Sequence, residues 1–242
     1  MAGSGTVDLL AIGAHPDDVE LGAGGALLRA IEAGLRVGVL DLTRGELSSR
    51  GTVSERQSEA ERAAQLLGLA TRENAELPDG GLANTDEQRR EVIPFIRALK
   101  PKVLLTHADL DRHPDHAMAH GLVRDANFFA GITSIETDAQ PYRAERIYFF
   151  HPYHDSAQEP RFVMDISGQF ERKLEVLRAH ASQFHNEDYS GDDTHVSSAQ
   201  FWEGIRNRAA YWGNKIGVRY GESFHFEGPL KLDCFPELES PV

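Results

Sequence analysis

Cysteine is nearly absent. Cys234 is the single one in 242 residues, which excludes a disulfide framework and a cysteine-built zinc site. It stands near the C-terminus with no His-Asp motif beside it and reads as structural. Basic residues are also scarce, 25 Lys and Arg against 38 Asp and Glu, for a formal charge of −13. That balance excludes a general binder of nucleic acid or anionic membrane, because phosphate-rich surfaces reward clustered Lys and Arg. The acidic excess is diffuse, so it does not point to a cationic partner. No apolar run approaches a membrane-spanning length, and the start of the chain lacks the basic residues of a secretory leader. The expectation is a cytoplasmic protein. A dinucleotide fingerprint is missing too: Gly22, Gly24 and Gly25 fall inside the first helix, not on the turn before it.

What is present is an alternation of apolar strands and amphipathic helices over residues 1–242, read as a single α/β domain. Buried strands are expected at Val7–Gly13, Leu35–Leu42 and Val103–Leu105, with further strands at Arg146–Phe150, Phe162–Ile166 and Phe224–Phe226. Helices are expected after the first strand, over Ser54–Leu67 with Ser54 as cap and Gln57 completing a capping box, and over Asp86–Leu99, where Pro94 kinks the helix or begins it. Others follow as far as Phe129, over Phe170–His180 and over Phe201–Trp212. The pattern predicts a three-layer, Rossmann-like fold with a mostly parallel sheet and a more irregular C-terminal portion.

Two clusters carry chemistry. His15-Pro16-Asp17-Asp18 lies on the turn between the first strand and its helix, and Arg112-His113-Pro114-Asp115-His116 follows another buried strand. Both therefore fall on the sheet edge where open α/β folds bind ligands. Alone, each cluster also fits a capped helix start; two of them on one edge favour a metal. Two imidazoles and a carboxylate with an open position are the ligand set of a catalytic metal, and His15, Asp18 and His116 are the expected ligands. Asp17, beside a ligand, is the candidate base. His113 faces the reacting group, with Asp115 to hold it as an imidazolium.

These residues resemble the zinc-dependent N-acetylglucosaminyl deacetylases related to LmbE and PIG-L. The resemblance extends through Asp41–Ser49, Gly51-Thr52-Val53, Arg56-Gln57, Ala179–Gln183 and Gly217–Tyr220. The stretches at Gly51–Val53 and Arg56-Gln57 are similar to the bacillithiol-pathway branch, which deacetylates N-acetylglucosaminyl-malate. The resemblance implies an LmbE-like fold, zinc (or another divalent metal such as Fe2+) on His15, Asp18 and His116, and catalysis by Asp17, His113 and Asp115. It also implies Arg56 near the sugar or malate, Arg143 reaching in from a neighbouring subunit, and a homo-oligomer as large as a hexamer. Either Asp17 or His113 would protonate the leaving amine. Rival readings are the same chemistry on another GlcNAc glycoside or thiol conjugate, and a metal-dependent sugar-binding protein without turnover.

Overall fold

The structure, a computed structural model, describes residues 5–151 and 159–230; Cys234 lies outside them. Among the described residues, seven strands form one sheet in the order β3-β2-β1-β4-β5-β7-β6. They are β1 (Leu9–Gly13), β2 (Val37–Asp41), β3 (Thr71–Asn74), β4 (Val103–His107), β5 (Arg146–Phe150), β6 (Phe162–Asp165) and β7 (Gly221–Phe226). The first five are parallel, while β7 runs antiparallel to both β5 and β6. The helices are α1 (Asp18–Glu32), α2 (Val53–Leu67), α3 (Asp86–Leu99), α4 (Pro114–Ala130), α5 (Phe170–Arg178) and α6 (Ala199–Lys215). None of the described helices is long and apolar enough to cross a membrane.

Alternation along the central strands builds the three layers. Leu10 and Ile12 of β1 and Leu104 of β4 pack with Val92, Ile96, Leu122 and Val123 of α3 and α4. Ala11, Val39 and Leu105 face the other way, toward Val19, Ala23 and Leu27 of α1 and Ala63 of α2. A strand with both faces covered is apolar throughout, which is why β1 and β2 read so clearly. A third cluster joins Phe170 and Leu174 of α5 to Phe201 and Ile205 of α6.

Three local expectations are corrected. Helix α2 starts earlier, capped by Thr52 in a reciprocal box with Glu55 rather than by Ser54 and Gln57. Pro94 lies well inside α3 and does not begin it. The strand β3 (Thr-Arg-Glu-Asn) is not expected from the sequence, because a polar edge strand has no apolar run to announce it.

The connections decide where a site can form. From β1 the chain builds outward to β2 and β3, then returns to lay β4 against the other side of β1. The order of strands reverses between β1 and β4. A crevice opens at the carboxyl ends of strands at such a reversal, and both histidine clusters follow these two strands.

Candidate active site

The turn after β1 is strained. Asp17 caps α1 with φ 119° and ψ −25°, a left-handed conformation, and its side chain makes no capping hydrogen bond. A non-glycine residue held there costs about 1–3 kcal/mol and persists only where the surroundings enforce it. Asp18, the first helical residue, folds back so that its Oδ2 accepts the His15 amide at 2.8 Å. The second cluster is set by β4 and α4. His113 is the N-cap of α4 and Pro114 occupies its first turn, where a missing N–H costs nothing.

The three expected ligands converge. His15 Nδ1 lies 3.3 Å from Asp18 Oδ2, and His116 Nε2 lies 3.1 Å from Asp18 Oδ1. The outer nitrogens of both rings are held by carboxylates: His15 Nε2 by Asp79 at 3.0 Å, and His116 Nδ1 by Asp111 at 3.0 Å. A carboxylate on the far nitrogen fixes the ring and aims the near nitrogen, the usual support of a metal-binding histidine. Charge points the same way. Burial alone would raise the Asp18 carboxyl, but His116 and His107 hold it well below its ordinary value. Burial would lower His116, yet Asp18 and Asp111 push it up to about 9, and His15 is raised likewise. The site stabilises positive charge among nitrogen and oxygen donors, and the residues present fit a divalent cation.

His107 stands among the same donors, 3.3 Å from Asp18. Its Nε2 accepts the buried Ala14 amide at 3.0 Å, and burial pushes its pKa down to about 4. With Asp18 and His116 it forms one of the donor groups close enough to hold a metal ion, although its inward nitrogen already serves the β1 turn.

His113 and Asp115 depart from expectation. The Asp115 carboxylate accepts the amides of Gly80 and Leu82 and lies 3.4 Å from His15 Nε2. What Asp115 gives His113 is its backbone N–H, which donates to His113 Nδ1 at 3.3 Å. Burial and the neighbouring His116 and His15 lower the His113 pKa. With Nδ1 accepting the Asp115 amide, a neutral His113 ring would carry its proton on Nε2.

Burial pushes the Asp17 carboxyl up to about 6, with Arg56 opposing. Arg56 is not a free cation in the cavity. Its guanidinium donates to the carbonyls of Gly45 (3.1 Å) and Pro16 (2.8 Å) and lies 3.6 Å from Asp17 Oδ2. Only glycine permits this: at Gly45 (φ 67°) a Cβ would sit 1.8 Å from Arg56 Nη1.

The family model described as PIG-L, GlcNAc-PI de-N-acetylase, matches residues 10–127, which hold every site residue described above. The solved structure of the conserved protein TT1542 from Thermus thermophilus is 36% identical, with TM-score 0.86, covering 98% of this chain and 100% of that one. The chain belongs to the PIG-L family. The diacetylchitobiose deacetylase of Thermococcus kodakarensis is 29% identical over 94% of this chain and 86% of its own. The 4-oxalmesaconate hydratase of Pseudomonas putida is 26% identical over 74% of this chain and 75% of its own.

In this PIG-L family chain the site opens into a cavity of about 370 Å³, within the range of small-molecule sites. His15, Asp17, Asp18, His113, His116 and Arg56 all line it. Phe150, Arg112, Phe184 and Phe201 also line it. Arg143 does not; it is exposed and lies over the ring of Phe128. The sequence reading missed His107, Asp111 and Asp79. His107 had a usable signal, as the last residue of a buried strand on the right edge. Asp79 had none, because a Pro-Asp-Gly-Gly turn is adequately explained as a turn.

Proposed function

We propose that this protein hydrolyses the N-acetyl group of an N-acetylglucosamine conjugate, with a divalent metal, zinc or iron, held by His15, Asp18 and His116. The observation that carries this reading is the placing of Asp17 beside those residues: a carboxylate freed from helix capping, with a pKa of about 6, facing the cavity. When bound, the metal supplies Lewis acidity, which makes water a nucleophile near neutral pH and polarises a carbonyl. Asp17 takes the proton of the attacking water. The Nε2–H of neutral His113 donates to the oxygen of the tetrahedral carbon as negative charge develops there, a contact that strengthens toward the transition state. Collapse breaks the C–N bond, and Asp17 returns its proton to the leaving nitrogen, giving acetate and a free amine.

The aglycone we assign is malate. The Gly51–Val53 and Arg56-Gln57 stretches support it through their resemblance to the bacillithiol branch. Arg112, exposed on the loop before α4 and lining the cavity, offers a guanidinium to a carboxylate. A role for Arg143 requires a second copy of the chain, which we propose as a homo-oligomer.

The test is acetate release from N-acetylglucosaminyl-malate, N-acetylglucosaminyl-inositol, diacetylchitobiose and free GlcNAc, with metal analysis of the same sample. Release fastest from the malate conjugate, with about one metal per chain, is expected. Faster release from another conjugate would replace the malate assignment. No acetate from any of them, together with hydration of 4-oxalmesaconate, would move this chain to the chemistry named for its Pseudomonas relative.

A further inference from the structure

Asp79 has one carboxylate and two separate tasks. Oδ1 accepts from His15 Nε2 at 3.0 Å, while Oδ2 accepts the amide of Leu47 at 2.8 Å. Its own amide donates to Glu46 Oε1 at 3.0 Å, so the 76–81 turn and the loop after β2 are tied in both directions. Asp115 also approaches His15 Nε2, at 3.4 Å, but its oxygens serve Gly80 and Leu82, in the loop that contains Asp79. Leu47 is 71% exposed and lines the cavity. An exposed leucine at the lip of a polar cavity is placed to meet whatever enters.

We infer that Asp79 is a positioning residue that couples the His15 imidazole to the Leu47 rim, so that metal binding and the set of the cavity lip are linked through a single carboxylate. This rests on the reading of His15 as a metal ligand. The link follows from hydrogen-bond chemistry. An imidazole that gives its Nδ1 lone pair to a cation becomes a stronger donor at Nε2. The carboxylate that accepts this stronger bond is held in one orientation, and its second oxygen then holds the Leu47 amide more firmly. A simple loop-to-loop tie would need the Leu47 and Glu46 contacts but not the one to His15.

The experiment uses the full chain, zinc as the probe, and two readouts independent of turnover. Zinc affinity is measured by competition with a chromophoric chelator in wild type, Asp79→Ala and the isosteric Asp79→Asn. Exchange of the Leu47 amide is followed with and without zinc. We expect Asp79→Ala to bind zinc about 10–100-fold more weakly, with Asp79→Asn between it and wild type. We expect zinc to slow Leu47 exchange in wild type and to leave it unchanged in both variants. Wild-type zinc affinity in both variants would overturn the inference, as would Leu47 exchange that responds to zinc equally in all three proteins. A wild-type chain that binds no zinc would overturn the ligand reading together with the inference, and the wild-type titration alone reports that outcome.

Discussion

The guanidinium of Arg56 lies 3.6 Å from the carboxylate of Asp17 and is anchored on the carbonyls of Pro16 and Gly45. Arg56 therefore supports Asp17 and the strained turn that carries it. Arg56→Ala should lower kcat by roughly tenfold or more on every substrate alike, with a smaller change in KM. Since Arg56 opposes the burial that raises the Asp17 pKa, the acid limb of the rate profile should also move to higher pH. Lysine should rescue little, because two carbonyls require the planar fork. A loss confined to KM for the malate conjugate would instead make Arg56 a recognition residue. Steady-state kinetics on two substrates across pH decides this.

Asp17→Asn keeps size and outline but cannot accept a proton. Turnover should fall by roughly two or more orders of magnitude. Metal content should remain that of wild type, because His15, Asp18 and His116 are untouched. His116→Ala should do the reverse and lose metal first. Metal analysis beside kcat separates the two, and normal turnover in a metal-replete Asp17→Asn sample would remove Asp17 as the base.

Beneath the site, Glu20 is fully buried between Arg72 and His180, and Arg72 also grips Asp41 through two hydrogen bonds. Burial alone would raise the Glu20 carboxyl, but Arg72 and His180 hold it far below its ordinary 4.5. A depressed carboxylate stabilises the fold above its unfolded pKa and loses that contribution as pH falls toward the folded value. Stability should thus decline as pH drops below about 4.5. Glu20→Gln should flatten that decline and cost about 3 kcal/mol at neutral pH, since it leaves a buried guanidinium partly unpaired. Denaturant unfolding at a series of pH values measures both effects.

Gly22 lies in α1 directly against Phe150: a Cβ there would sit 2.5 Å from the ring. Alanine gains about 1 kcal/mol of helix propensity, but the ring is buried and already packed edge-on against His107. Overpacking of this kind costs about 1–3 kcal/mol, so the overlap prevails. Gly22→Ala should lower Tm by several degrees and reduce kcat through displacement of His107. An unchanged Tm with full activity would mean that Phe150 yields freely.

The helices, the two His-Pro-Asp clusters and every described strand but β3 were legible in the chain because each is local. Buried strands are apolar throughout, α3 repeats its apolar residues at helical spacing, and a strand-to-helix turn dense in His and Asp is recognisable without neighbours. Those features placed His15, Asp17, Asp18, His113 and His116 on one sheet edge. The partners of these residues depended on segments far apart in sequence. Asp79 and Asp111 hold the His15 and His116 rings, His107 spends its inward nitrogen on Ala14, Asp115 turns to His15 rather than to His113, and Arg56 sits beside Asp17. A hydrogen bond is short and directional, and nothing in a residue's own neighbourhood says which distant group will meet it. Crossing β4 back beside β1 brought those groups within reach, and only the folded chain could assign them.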